Sequence, residues 1–314
     1  MCLESPFSRA DFLRATSAAG FGSAAVASSA PMVAFAEEHE KLAQAGPRSP
    51  INVRWLGGGV AELSTPDSKQ IMLVDAWIWN NAGYERFGRQ KPPELSSASA
   101  YADHLVARKP DAVFVLLTHD HGDHIGDFFE LLKTLHERSL NVKAMGHSDL
   151  MRYALVPKFK DAGLDEAAIV VNNGAGGNIG GIGVHGEMRA VVVPAFHSTT
   201  FGLPSIGFIA QIGGTKFYAS GDTDLFGDMA LIGRRYKPDV AIVCAGNGPF
   251  TMGPADAAEA VRMLGVKTAI PVHYAHNALV LGIDAGDRFH AEAARVAPQV
   301  HVTVMKPGDV TQVT

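Results

Sequence analysis

The amino-acid sequence predicts an α/β fold in which helices cover mixed β-sheets. Short runs of apolar and β-branched residues recur after residue 50, and each has the length of a buried strand. Segments with apolar residues at helical spacing separate the later runs, whereas the early runs follow one another more directly. Consecutive strands indicate a meander and alternation with helices indicates parallel strands, so together they predict an α/β sandwich.

The individual elements follow from the same patterns. The runs predicted as strands are 51–56, 71–75, 112–117, 168–171, 190–193, 206–212, 216–220, 240–243, 268–272 and 300–305. The segments predicted as helices are 125–138, 147–155, 225–236 and 254–265. The Gly-rich stretch 172–183 lacks the spacing of a phosphate-binding loop, so we predict a turn between strands there.

Composition limits the classes of partner. The chain has 314 residues, 47% of them hydrophobic, which is enough for one large domain or two small ones. Its net charge is −5 and it has no long run of Lys or Arg, so nucleic acid is not an expected partner. The body has no apolar stretch of about 18 residues, so stable membrane insertion is not expected either.

Residues 1–36 have the layout of an export signal. Arg9 and Arg14 precede a stretch of small residues that ends in the cleavage pattern Ala34-Phe35-Ala36. The segment SRADFLRATSAAG resembles a twin-arginine signal, with Ala10 where the second arginine belongs. We therefore predict a periplasmic or exported protein with a linker at 37–50 and a folded domain at 51–314. The alternatives are a partner-binding arm and, if the imperfect signal is not used, a cytoplasmic location.

The segment 119–124, His-Asp-His-Gly-Asp-His, directly follows the predicted strand 112–117. A metal ion needs several imidazoles or carboxylates that converge on one point, and a loop at a strand end can fold back to supply them. Gly122 would relieve crowding in such a turn. A single loop histidine is usually solvated, so it is the joint spacing HxHxDH that predicts a metal site.

This spacing is characteristic of the metallo-β-lactamase superfamily, which the chain resembles. That superfamily has a lone histidine, a bridging aspartate and a last histidine at later strand ends. His197, Asp222 and His273 follow apolar runs in this order. The resemblance implies a four-layer αββα sandwich with two mixed sheets for residues 51–314.

A closer resemblance is to the metal-dependent hydrolases that neighbour the L-ascorbate-6-phosphate lactonases. The similar segments are VVVPAFHSTT, IPVHY and GDTDLFGDMALIGRRYKPDVAIVCAGNGPFTMGPADAAEAV, within residues 51–305. They are specific for the fold and the metal, and much less so for the substrate. Near the first strand that branch has a Gly-His pair, whereas this chain has Gly at 57, 58 and 59. The missing imidazole is therefore expected to change the residues around the metals or in the substrate pocket, and not the metal ligands themselves.

The resemblance implies two metal ions with seven ligands. The ligands of the first metal would be His119, His121 and His197. Those of the second would be Asp123, His124 and His273, and Asp222 would bridge both. A set made mostly of imidazoles suits two zinc ions, with manganese or iron as alternatives.

We also predict catalytic roles for Asp123, Asp222 and His276. His276 lies three residues beyond His273, where it would orient the substrate or donate a proton; a surface histidine is the alternative. Asp120, between two ligands, is expected to make hydrogen bonds that support them.

These assignments predict a hydrolase that acts on a small ester, lactone or phosphoester. Two divalent ions about 3.5–4 Å apart would lower the pKa of a shared water toward about 7, and the bridging hydroxide would be the nucleophile. One alternative is a nuclease or phosphodiesterase of the same fold, which the net negative charge disfavours. Another is a non-catalytic metal-binding protein, which the complete ligand set disfavours. Assembly as a homo-oligomer is left open.

Overall fold

The computed structural model describes residues 37–38, 48–246 and 249–314. The chain divides into two compact units, Met1–Glu40 and Lys41–Thr314, and both sheets belong to the second. The predicted export signal and residues 39–47 of the predicted linker lie outside the described residues. Within the described part, no helix is long and apolar enough to cross a bilayer.

The first sheet has six strands in the order β13-β1-β2-β3-β4-β5. These strands are β1 (Ile51–Gly57), β2 (Val60–Ser64), β3 (Gln70–Val74), β4 (Ala112–Leu116), β5 (Val142–Met145) and β13 (Val310–Val313). β1, β2 and β3 form the expected antiparallel meander, whereas β3, β4 and β5 are parallel. β13 pairs antiparallel with β1.

The second sheet has seven strands in the order β12-β11-β10-β9-β8-β7-β6. These strands are β6 (Ile182–His185), β7 (Met188–Pro194), β8 (Ile206–Ile212), β9 (Thr215–Ala219), β10 (Val240–Cys244), β11 (Thr268–Val272) and β12 (His301–Val302). β6 to β9 are antiparallel neighbours, and β9 to β12 are parallel.

Helices cover the outer face of each sheet. They are α1 (Gly83–Arg86), α2 (Ala98–Arg108), α3 (Gly122–Ile125), α4 (Phe128–Glu137), α5 (Val156–Asp161), α6 (Glu166–Ile169), α7 (Met229–Tyr236), α8 (Pro254–Leu264) and α9 (Ala285–Val296), with a π-helical turn at Leu150–Leu155. α2 and α4 pack on the first sheet, and α7, α8 and α9 pack on the second.

The apolar core lies in three layers, and β4 shows why its run is apolar throughout. Phe114 and Leu116 face the core between the sheets, while Val113 and Val115 face the helices. Side chains alternate along a strand, so a strand covered on both faces needs apolar residues at every position. This arrangement confirms the predicted αββα sandwich.

Two of the predicted strands are wrong or too long. Residues 168–171 are not a strand: α6 ends at Ile169, and Val170 makes only an isolated bridge to Ala144. The Asp165 side chain accepts a hydrogen bond from the Ala167 N–H and starts a helical turn there, which a short apolar run does not reveal. The predicted strand 300–305 is reduced to β12.

Several elements were not predicted because their sequences are mixed. β2 carries the buried Glu62, β5 carries Lys143, and β6 and β13 are four residues long. The helices α2 and α9 were also missed. Both have a local signal, since the Ser97 side chain caps α2 and the buried residues Ala285, Phe289 and Ala293 recur at helical spacing in α9.

Glu62 is buried (3% exposed) and joins the first sheet to α2. Its carboxylate accepts hydrogen bonds of 2.5 Å from the Tyr101 hydroxyl and from the Arg108 guanidinium. Arg108 is the cation of this pair and its side chain is 19% exposed. A buried carboxylate without its cation is costly, so this contact ties the helix to the sheet.

We predict that Arg108→Met lowers the free energy of unfolding by about 3 kcal/mol, because it removes the cation that is hydrogen-bonded to the buried Glu62 carboxylate. Urea unfolding followed by circular dichroism measures the change. Arg262→Met is the matched control, since Arg262 pairs with Glu259 on the exposed face of α8 and such pairs contribute little. Equal effects of the two substitutions would contradict the prediction.

Candidate metal centre

The seven predicted ligands meet where strands of both sheets end. The segment 119–124 follows β4 of the first sheet. In the second sheet, His197 follows β7, Asp222 follows β9 and His273 directly follows β11. His273 has a left-handed backbone (φ 64°), and its N–H donates to the Gly58 carbonyl at 2.8 Å. The carboxyl ends of these strands therefore converge on one region between the sheets.

The first group contains the three histidines assigned to one metal. The Nδ1 atom of His121 lies 3.0 Å from Nε2 of His119 and 3.2 Å from Nε2 of His197. Ring nitrogens this close repel one another if each directs a lone pair at the others. A proton or a cation among them removes that repulsion. The three residues form one of the groups whose geometry could hold a metal ion.

Asp222 lies between this group and the second one. Its Oδ1 is 3.4 Å from Nε2 of His124, and its Oδ2 is 3.6 Å from Nε2 of His197 and 3.2 Å from Nε2 of His273. His273 also approaches Asp123, with Nε2 3.5 Å from Oδ2. The predicted bridging residue is thus placed between the histidines of the two proposed sites.

The carboxylates of the centre are ionised. Burial alone would raise the pKa of Asp222, but His273 and His124 beside it hold that pKa well below its ordinary value. Burial would likewise raise the pKa of Asp123, yet the His273 and His276 rings beside its carboxylate lower it strongly. Both groups therefore offer negatively charged oxygens.

The histidines are affected in two ways. Burial lowers the pKa of His119 and of His197, which favours the neutral ring that a metal requires. Burial would also lower the pKa of His124, but Asp222 and Asp75 raise it well above its ordinary value. A cation between His124 and Asp222 would take the place of that proton.

Asp75, which follows β3, fixes the orientation of two ligands. It is fully buried, and its Oδ2 lies 2.7 Å from Nδ1 of His124. The hydroxyl of Thr118 donates to Asp75 at 2.8 Å and lies 3.1 Å from Nδ1 of His119. Each ring is thereby held with Nε2 toward the centre, as a carboxylate behind a ligand histidine typically does. The sequence analysis did not identify Thr118, and no motif signals it.

Asp120 does not face the centre; it holds the loop that follows His197. Its two carboxylate oxygens accept hydrogen bonds from the N–H groups of Thr200 (2.7 Å) and Phe201 (2.9 Å). The Nδ1 atom of His197 lies 3.0 Å from the Phe250 carbonyl, which accepts its N–H. The hydrogen bonds of Asp120 with Thr200 and Phe201 agree with the supporting role expected of this residue.

His276 lies behind Asp123. It is 1% exposed, its Nε2 is 3.1 Å from Asp123 Oδ2, and its ring packs edge-on against Trp77 at 5.8 Å between centroids. It is not among the described residues that line the cavity at the centre. Its catalytic role stays a prediction, and this placement favours a residue that positions Asp123.

Of the glycines at 57, 58 and 59, Gly59 lies against the candidate ligand His124. A Cβ on Gly59 would come within 2.6 Å of Cε1 of His124. Contacts that short do not occur between real side chains, so the His124 ring lies where it does because residue 59 has no side chain. The absence of the Gly-His pair from this chain therefore changes the surroundings of the candidate ligand His124.

A cavity of about 320 Å³ opens onto the centre. This volume suits a small molecule. The described residues that line it are His121, Asp123, His197, Ser198, Asp222, Phe250, His273, Asn277, Leu279 and Val280. Phe250 and Leu279 were not predicted as site residues, although Phe250 lies in a segment that resembles the family.

Known proteins are similar to this chain over most of its length. A family model described as a beta-lactamase superfamily domain matches residues 73–274. A UPF0173 metal-dependent hydrolase from Caldivirga maquilingensis is 33% identical over 259 residues, which cover 82% of this chain and 96% of the relative. Another from Thermofilum pendens is 36% identical over 241 residues, covering 77% of this chain and 88% of the relative.

Solved structures share the fold. Igni18, a metallo hydrolase from Ignicoccus hospitalis, superposes with a TM-score of 0.63 at 23% identity, covering 85% of this chain and 99% of the other. The family match spans most of the sandwich and includes every one of the seven candidate ligands. The chain therefore belongs to the beta-lactamase superfamily and is a relative of the UPF0173 metal-dependent hydrolases.

Proposed function

We propose that the protein is a dinuclear metal-dependent hydrolase that acts on an ester, lactone or phosphoester. The observation that carries the proposal is the position of Asp222, whose two oxygens face histidines of both groups. The relatives are named metal-dependent hydrolases, which supports the reaction class.

The spacing of the ligand atoms fits a cation. Donor atoms about 2.1 Å from a tetrahedral ion lie about 3.4 Å from each other. The contacts of Asp222 with His124, His197 and His273 span 3.2–3.6 Å. In addition, Nε2 of His124, Nε2 of His273 and Oδ1 of Asp222 are buried polar atoms without a hydrogen-bond partner among the described residues. Buried polar atoms are normally satisfied, so these three support a ligand at this place.

The chemistry of the donors favours zinc. Five imidazoles and two carboxylates suit zinc, with manganese or iron as alternatives. When bound, two such ions would supply an activated water and polarise the oxygen of the substrate. In the reaction, the oxygen of water bonds to the acyl carbon or phosphorus, the bond to the leaving oxygen breaks, and that oxygen takes up a proton.

The chain's own residues prepare this chemistry. Asp75 and Thr118 keep Nε2 of His119 and His124 directed inward, and the Phe250 carbonyl does the same for His197. His276 holds Asp123 through its 3.1 Å contact. A centre whose ligands are already oriented loses little free energy to reorganisation when it acts.

We expect Asp222→Ala to reduce turnover by at least about a hundredfold and to lower the metal content, because it removes the contacts shared by both groups. The measurements are elemental analysis and initial rates on a panel of small esters, lactones and phosphodiesters. Asp228→Ala, at an exposed aspartate of the same chain, should leave both unchanged. Full activity of metal-free protein would refute the proposed function.

Removal of metal should also destabilise the fold. A cation that binds only the native state raises the free energy of unfolding by about 2.7 kcal/mol when its free concentration is about 100 times its Kd. For a domain of this size that corresponds to an increase in Tm of about 5–10 °C. Thermal unfolding with and without a chelator measures it, and added zinc should restore the original Tm. An unchanged Tm in protein shown to have lost its metal would argue against a preformed centre.

Gly59→Ala should displace the His124 ring and weaken the second metal site, because the new Cβ would occupy space within 2.6 Å of that ring. We expect the zinc content to fall from two ions toward one per chain. Gly227→Ala is the matched control, since its Cβ would meet no atom within 4 Å. Two tightly bound zinc ions in Gly59→Ala would show that His124 is not held as described.

A further inference from the structure

We infer that the cavity selects uncharged substrates with an apolar acyl or alkyl group, which packs against Phe250 and Leu279. This inference rests on the proposed function and narrows it to esters or lactones without a phosphate or other anionic group remote from the reacting bond. It depends on three features of the cavity: exposed apolar side chains, the charges of its lining, and the loops that carry both.

Large apolar side chains stand exposed at the cavity. Phe250 is 54% exposed and Leu279 is 69% exposed, and Val280 is partly buried beside them in the lining. A single exposed apolar residue needs no explanation, but several that line one cavity with a few polar groups are typical of a site for an apolar ligand.

The lining offers no partner for a remote anion. Among the described residues around the cavity there is no lysine and no arginine. Apart from the proposed metal ligands, the polar side chains are those of Ser198 and Asn277, and the Asn277 oxygen already accepts the Leu279 N–H at 2.7 Å. Phosphate recognition uses arginine, lysine or a series of N–H donors, so a phosphorylated tail would lie here without a counter-charge.

The apolar residues are placed by the same segments as the metal ligands. The Phe250 carbonyl accepts the hydrogen bond from His197, and Leu279 lies on the loop that begins at His273 and His276. That loop is held by the Ala275 N–H, which donates to the Leu281 carbonyl at 2.8 Å. An apolar group packed on Phe250 and Leu279 is therefore adjacent to the proposed metals, as the acyl or alkyl part of a substrate must be.

The test separates binding from turnover. Straight-chain acyl hydroxamates of two to ten carbons are titrated into zinc-loaded protein by calorimetry, since the hydroxamate head binds zinc and the tail reports on the cavity. We expect the affinity to rise about two- to fourfold per methylene until the chain outgrows the cavity, because each buried methylene is transferred from water. Alkyl esters of the same lengths should show the same trend in kcat/KM.

Variants of the lining identify the surface responsible. Phe250→Ala and Leu279→Ala should each flatten the dependence of hydroxamate affinity on chain length. Leu231→Ala is the matched control, since Leu231 is 51% exposed on α7 and does not line the cavity. Leu279→Lys should reverse the preference and favour a hydroxamate with a carboxylate at the end of its tail.

The outcomes distinguish the inferred preference for apolar substrates from the proposed hydrolase reaction. An affinity that does not depend on chain length, or tighter binding of phosphate-tailed than of alkyl-tailed hydroxamates, overturns the inference even if short esters are hydrolysed. Hydroxamate binding that follows chain length, without hydrolysis of any ester, lactone or phosphoester, supports the apolar surface and overturns the proposed reaction.

Discussion

The orientation of the candidate centre depends on the buried carboxylate of Asp75. It contacts His124 directly and, through the Thr118 hydroxyl, supports His119, so one side chain fixes the rings of histidines assigned to different metals. Asp75 lies directly after β3 with a left-handed backbone (φ 60°), a conformation that costs energy for a residue with a side chain. The surrounding sandwich must supply that energy, and strain of this kind is typical of functional sites.

Asp222 provides the complementary constraint from the second sheet. A buried, ionised carboxylate is stable only when groups of opposite charge or hydrogen-bond donors surround it. His124 comes from the first sheet, while His197 and His273 come from the second, and all three approach Asp222 within 3.2–3.6 Å. The electrostatics of the centre therefore depend on the packing of one sheet edge against the other.

We propose that the lining of the cavity restricts the substrates of a metal centre that by itself would accept many esters. Metals between carboxylates and imidazoles polarise many kinds of ester, so the choice of substrate falls to the residues around them. In this chain Phe250 and Leu279 supply apolar surface, and the described residues that line the cavity with them include no lysine or arginine. Leu279 lies outside the segments that resemble the family, and the segment that contains Phe250 is specific for the fold and the metal rather than for the substrate. Family membership alone therefore leaves the substrate class open.

The sequence alone predicted the layers of the fold and the candidate metal ligands. Fully apolar runs such as 112–117 must be covered on both faces, and the spacing of 119–124 with His197, Asp222 and His273 matched a known family pattern. Local pattern failed at 168–171, where the cap at Asp165 starts a helical turn, and at β2, where a buried Glu62 masks the strand.

Only the tertiary structure decided which partners surround those ligands. Asp75 and Gly59 lie against His124, which is distant from both in sequence, and Thr118 links the distant Asp75 to its own neighbour His119. The exposed apolar lining comes from two loops that are separate along the chain. Such contacts form when the two sheets pack together. Local propensity and residue spacing do not predict them, because they depend on the distance between segments and not on the order of residues within a segment.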